Sequence, residues 1–242
     1  MKYLVLFIYS PSDTYDKMKT LQQSYMHSHP AFDCFFVAAN PELDKPVKMQ
    51  GDVIYVRGNE GLLNILNKTL VALDYLLNCL RGKYDFIIRT NVSTIVNFKV
   101  LDAHLQTLPK SNIYTAGYVN QLRWLDPPSG ITSHQYYGLD FASGTSIIIT
   151  PDIVQHMLNN ASNINHNIVD DVSIAIYVSE YFPRSHKAMR KYNTSILFYG
   201  NLRQNHNIMS YAFIRNRVSS RDSFGMKDIN NMYKQVNLLC SM

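Results

Sequence analysis

Cysteine is scarce in this chain: Cys34, Cys79 and Cys240 are odd in number and too widely spaced for a metal-ligand motif. That excludes a disulfide framework and a zinc module, and it fits thiols kept reduced. No G-x-G-x-x-G or Walker sequence occurs, so the familiar glycine-rich phosphate cradles are missing. Internal repeats, coiled-coil heptads and low-complexity tracts are absent too, which excludes solenoid and fibrous designs. The apolar run in MKYLVLFIYSPSD stops at Ser10 and Pro11. It is too short to span a bilayer and has no small-residue cleavage site, so it reads as a first buried strand rather than an anchor or signal peptide. A cytoplasmic protein without a transmembrane segment is the expectation. The sequons at Asn67, Asn91, Asn160 and Asn193 are then read as unglycosylated.

What is present is globular. The chain has 242 residues, 46% hydrophobic and 17% charged. A domain of that size buries roughly 70–75% of its unfolded surface. Net charge is +5 with a pI near 9.0, a balance that suits an anionic ligand such as a nucleoside diphosphate, or weak binding to nucleic acid or membrane. Lys and Arg are scattered until His186–Lys191 and Arg203–Arg221. With neither a groove-reading helix nor an aromatic RNA signature, no nucleic-acid partner is expected.

Along the chain, residues 2–9 form a continuous apolar run, as in a strand covered on both faces. Pro11–Asp13 supply turn and cap chemistry for a helix to about Ser28, and 33–38 and 52–56 read as strands separated by a loop. Glu60 to Leu80 has apolar residues at helical spacing, closed by Gly82. Tyr84–Arg89 is the next strand, Phe98–Leu108 a helix, and Asn112–Val119 a strand. Residues 120–138, with Trp124 and several Pro and Tyr, look like an excursion over a binding face. A strand over Phe141–Thr150 and a helix from Pro151 to Leu158 follow. Beyond them are a helix over Val169–Ser179, a strand over Ser195–Tyr199 and a helix over Ser223–Val236. Alternating strands and helices predict an α/β fold whose mostly parallel, nucleotide-binding sheet is flanked by helices. A donor-binding half of about 1–110 and a smaller, mixed acceptor-binding and catalytic half of about 111–242 make one domain. Ligands of such sheets bind at the carboxyl ends of strands, here near Tyr9, Val56 and Arg89.

Four segments in order carry a family likeness. In EGLLNILNKTL, Glu60, Asn64, Lys68, Thr69 and Leu70 match a helix of the form D-x-Y-x-N-L-T-x-K-T-L. The stretch Arg89 to Asn97, RTNVSTIVN, matches K-T-D-D-D-x-F-V-N, and Ser143–Thr150 followed by Pro151 matches S-G-G-G-Y-V-L-S. Asp170, Asp171 and Val172 match E-D-V. Over about residues 55–175 the chain resembles the GT-A glycosyltransferases of the β-1,3-galactosyltransferase and Fringe superfamily.

The resemblance implies an inverting transfer of a monosaccharide from a nucleotide-sugar donor, a UDP-sugar, to a carbohydrate acceptor. It makes Asp171 the general base that takes the acceptor proton, with Asp170 beside it on the acceptor side. On the residues alone, the Asp170–Asp171 pair reads as a helix cap. Asn91, Val92 and Ser93 stand where the family has its acidic triplet, and neutral oxygens suit a divalent cation poorly, so no metal site is expected. Cations then answer the diphosphate charge: Lys68, Arg89, His206, Arg215, Arg217 and Arg221 are the candidates. The basic segment HNIMSYAFIRNRVSSRD is similar to a tail of some viral and bacterial members, and an unanchored enzyme of that kind is the expectation. Tyr9 and Ser10 fall where the family cradles uracil and ribose. Ser143 and Gly144 allow close approach of the sugar, while Trp124 and Tyr136 or Tyr137 offer faces to an acceptor. The alternative is a degenerate relative that only binds a glycan or protein partner, since the acidic triplet is missing.

Overall fold

Every side chain of β1 (Tyr3–Ile8) is buried, and the two faces of this strand feed two different cores. Leu4, Leu6 and Ile8 point into one, Tyr3, Val5 and Phe7 into the other. That is why the sequence here is continuously apolar instead of alternating. Each such side chain contributes about 1.5–3 kcal/mol on full burial. The computed structural model describes residues 1–79, 84–198, 207–217 and 225–241.

The Ser12 side chain accepts from Tyr15 N and opens α1 (Asp13–Gln23). The chain then returns as β2 (Phe32–Asn40), parallel to β1. β3 (Val47–Gln50) and β4 (Val53–Arg57) form a hairpin that adds β4 parallel to β2. After a 3-10 turn at Leu62–Asn64 comes α2 (Ile65–Cys79), and β5 (Phe86–Asn91) lands on the free side of β1. β6 (Thr94–Val96) leads into α3 (Phe98–Leu105), whose first turn is capped by Asn97. β7 (Tyr114–Ala116), β8 (Val119–Gln121), β9 (Asp140–Ala142) and β10 (Ser146–Ile149) follow, then α4 (Pro151–Asn159), α5 (Asp170–Tyr181) and α6 (Pro183–Ala188). β11 (Ile196–Phe198), β12 (Phe213–Arg215) and α7 (Met226–Cys240) complete the described elements.

The seven-stranded sheet has the order β3-β4-β2-β1-β5-β10-β7. β4, β2, β1 and β5 are parallel, whereas β3 and β10 run against their neighbours. A mixed α/β sheet flanked by helices results, and it takes strands from both sides of residue 110. α2, α4 and α5 cover one face and α1, α3 and α7 the other. From β1 the chain moves to β2 on one side and later to β5 on the other, so the switch point lies at the carboxyl ends of β1 and β5. A small sheet, β11-β12-β6, stands beside that end, and β8 pairs with β9.

Several boundaries differ from the sequence reading. The helix predicted from Glu60 begins at Ile65, because Leu62 and Leu63 lie exposed in the 3-10 turn before it. Leu80 and Gly82, its predicted end, lie outside the described residues, as do Tyr199 and Ser223. The strand predicted over 112–119 divides into β7 and the start of β8, and that over 141–150 into β9 and β10. In each, the break turns the chain from the large sheet to the β8–β9 pair. β3, β6, β12 and α6 have no counterpart in the sequence reading.

Candidate active site

Beyond β1 the Tyr9 carbonyl meets Lys68 in the first turn of α2, and the Ser10 hydroxyl meets Glu60 ahead of that helix. Lys68 is 2% exposed and donates to Tyr9 O at 2.9 Å and to Glu60 Oε2 at 2.6 Å. Glu60 also accepts from Ser10 Oγ at 2.8 Å and from Ala39 N at 2.6 Å. One carboxylate therefore joins the ends of β1 and β2 to α2. Burial holds the Lys68 ammonium below its ordinary pKa, against the opposing pull of Glu60. Tyr9 brings its carbonyl to this cluster rather than its ring. The ring lies against Phe36, under Lys19, with its hydroxyl on Asp16.

At the end of β5, Arg89 is 4% exposed and Asp170, the first residue of α5, is 2% exposed. Their Nη2 and Oδ2 atoms are 2.7 Å apart, an ion-pair distance at which no N–H is aligned on the oxygen. Arg89 Nη1 donates to Asn91 Oδ1 at 3.0 Å and to the Gly144 carbonyl. Sequence reasoning gave Arg89 to the diphosphate and Asp170 to the acceptor. In the structure the two side chains are turned on each other and buried.

Asp171 is part-exposed at the start of α5. Its Oδ2 accepts from Gly144 N at 3.1 Å and its Oδ1 from Val172 N at 2.9 Å. Burial first, and the neighbouring Asp170 second, push its pKa up to about 6, while the Gly144 N–H and Arg89 oppose the rise. The backbone at Gly144 thus brings β5 and α5 together. Thr90 Oγ1 adds a bond to Thr145 O at 2.6 Å, and Ser143 Oγ lies 3.1 Å from Thr145 Oγ1.

The turn after β5 is held from three directions. Gln22 of α1 is fully buried, and its Nε2 donates to Val92 O and to Thr94 O, each at 2.8 Å. Asn216 N donates to Ser93 O at 2.8 Å, and Arg215 donates to Ser93 Oγ and, at 3.4 Å, to Thr94 Oγ1. Asn216 is itself locked by two amide bonds to Gln235 of α7, at 2.8 and 2.9 Å. These oxygens are neutral and already accept from Gln22, Asn216, Arg89 or Arg215, a poor set for a hard divalent cation. Among the described residues no group of three or more His, Cys, Asp or Glu is placed to hold a metal ion.

Trp124 (40% exposed) and Tyr137 stand on the excursion, Trp124 edge-on to Phe141 with ring centroids 6.1 Å apart. Tyr136 is half-buried against the core. This loop docks on the entry to α5, where Val169 N donates to Ser129 O at 2.8 Å. Arg217 is exposed two residues past Arg215. His206, Arg203 and Arg221 lie outside the described residues. Gln22, Asn216 and Gln235 were not anticipated, and Glu60 was only a motif position. Gln22 falls four residues after the buried Met18, so it shares the inward stripe of α1. That spacing was the one available signal.

A mostly parallel sheet whose switch point is closed by such a buried charge cluster is compatible with the GT-A class of sugar-transferring enzymes. The galactosyltransferase family model matches residues 40–186, more than half of the chain, so the chain belongs to the galactosyltransferase family and has a glycosyltransferase domain. That family implies a nucleotide-sugar donor and a glycan acceptor. No curated protein matches the chain. Among the described residues no helix is long and apolar enough to cross a membrane.

Proposed function

We propose that the chain is an inverting glycosyltransferase that moves a monosaccharide from a UDP-sugar to a hydroxyl of a glycan. Asp171 is the general base, and no divalent ion works at Asn91–Ser93. The observation that carries the reading is the Asp171 carboxylate, held by Gly144 N–H at the carboxyl end of β5 with its pKa raised to about 6. A base poised near neutrality is ionised at working pH yet basic enough to accept a proton.

The acceptor oxygen attacks the anomeric carbon from the face opposite the nucleotide, and its proton passes to Asp171. The new C–O bond forms as the bond to the β-phosphate oxygen breaks. The electron pair leaves with the nucleoside diphosphate, and Asp171 later returns its proton to solvent. Arg215, beside Ser93, and the exposed Arg217 are the cations assigned to the leaving charge.

The occupied oxygens of residues 91–94 equally favour a degenerate module that binds a glycan without turnover. A panel of UDP-sugars with glycan acceptors, run in EDTA and in Mn²⁺, separates the two. Release of UDP that persists in EDTA and is lost in Asp171→Asn is the expected result. Absence of UDP binding by calorimetry rejects the enzyme in favour of the module.

A further inference from the structure

Burying an ion pair removes two charges from water, and the attraction regained seldom exceeds that loss. The Arg89–Asp170 pair is nevertheless almost wholly inaccessible. It is also incompletely satisfied: Arg89 Nε has no hydrogen-bond partner among the described residues, and Asp170 Oδ2 has a charge contact without an aligned N–H. Packing alone gives no reason to keep such an arrangement.

Gly144 supplies one. Its carbonyl accepts from Arg89 Nη1, while its N–H holds Asp171 Oδ2 at 3.1 Å. A Cβ at Gly144 would stand 2.6 Å from Nη1 and 3.2 Å from Cζ, so glycine lets the guanidinium lie directly on this backbone. Asn91 Oδ1 fixes the guanidinium from the strand side and Asp170 from α5. We propose that the Arg89–Asp170 pair is a positioning device that aims the Asp171 carboxylate at the acceptor through the Gly144 backbone, and that neither residue binds donor or acceptor. The inference rests on the reading of Asp171 as the base.

The two members act on Asp171 with opposite sign. Arg89 favours its charged form and Asp170 disfavours it. The other ionisable groups that face this cluster are Lys68 on α2, which interacts with Arg89 and Asp170, and Tyr114 on β7, which interacts with Asp170 and Asp171; Asp140 on β9 and His186 on α6 sit on elements packed against α5. Lys68 is paired with Glu60, Asp140 with Arg190, and His186 Nε2 lies 2.7 Å from Asp140 O. Replacing Arg89 or Asp170 singly therefore leaves distinct signatures on the same carboxyl group.

Carboxyl-carbon NMR titration of Asp171 in the full chain reads them without any acceptor. In Arg89→Met the midpoint moves up by about one pH unit or more, and in Asp170→Asn it moves down by a similar amount. The acidic limb of UDP-sugar turnover moves with each, donor KM stays within about threefold, and Arg89→Lys restores part of kcat. A pair that acts by charge alone would move the midpoint but leave the pH-independent kcat in place, and that outcome also overturns the positioning role. Unmoved midpoints, or a tenfold loss of UDP affinity in Arg89→Met, overturn the proposal. If Arg89→Met does not fold, Asp170→Asn decides alone: a downward shift with a lowered pH-independent kcat supports it, and the lack of either overturns it. Turnover that survives Asp171→Asn rejects the base reading itself, whereas turnover lost there with midpoints unmoved rejects only the positioning role.

Discussion

At the scale of single residues, Asp171 is held in a form that works against the fold. Its carboxyl titrates near 6 in the folded chain, against an ordinary value of 3.8. Between those values the native state binds more protons than the unfolded chain, so stability is greatest below about pH 4 and falls as pH rises through about 6. Asp171→Asn removes that penalty while keeping an oxygen for Gly144 N–H. The variant should gain roughly 1–3 kcal/mol at pH 7.5 and almost nothing at pH 4, since one pKa unit corresponds to about 1.4 kcal/mol. Denaturant unfolding at the two pH values measures this, and equal effects at both would count against the raised carboxyl. In the same variant turnover should drop by about 10²–10⁴-fold, the usual size of a general-base contribution. A substitution that stabilises and inactivates together identifies a group retained for chemistry.

At the scale of elements, the loop ahead of α5 sets how Asp170 and Asp171 enter the site. Gly130 has φ +76°, and a Cβ on it would stand 1.8 Å from Asn167 O and 3.0 Å from Ile168 Cα. Both are backbone atoms that cannot swing aside. Gly130→Ala should cost about 2–4 kcal/mol and undock the excursion from the start of α5. Thermal unfolding gives the first effect, and faster amide exchange at Val169, whose N–H is bound to Ser129 O, gives the second. A variant with unchanged melting and exchange would show that the two segments are not coupled. Element length also explains what could be read in the sequence. β1, β2, β5, α2 and α4 announce themselves by long apolar runs or helical spacing. β6 and β12 are three residues each and pair with partners more than 100 positions away, Ile95 with Ile214 and Thr94 with Arg215. Three residues show no period, so no local pattern marks them. β3 is an exposed edge strand with little apolar signal. In the site, Asp171, Asn91 and Gly144 were legible through motif order, but the mutual burial of Arg89 and Asp170 depends on β5 meeting α5 in space. Gln22 reaches the 92–94 carbonyls across about 70 residues and was invisible for the same reason.

At the scale of the whole molecule, the sheet places its charge unevenly. Glu60 with Lys68 and Asp170 with Arg89 neutralise each other beneath the switch point. The chain as a whole keeps a net +5, from 23 Lys and Arg against 18 Asp and Glu. On the proposed reading the diphosphate is met by side-chain cations rather than by an ion held in carboxylates, and these differ in their response to solvent. Arg215 is buried but Arg217 is exposed, and an exposed charge is screened over about 8 Å at physiological salt, whereas a coordinated metal responds to chelation. UDP binding should therefore weaken several-fold between about 0.05 and 0.5 M NaCl and be indifferent to EDTA, while uridine, lacking phosphate, should bind independently of salt. Replacing both Arg215 and Arg217 by Ala should cost UDP tenfold or more, with no rescue by Mn²⁺ and little change for uridine. Titration calorimetry on the intact chain reads all of these, and UDP affinity that falls in EDTA and returns with Mn²⁺ would transfer the role from the arginines to a bound ion.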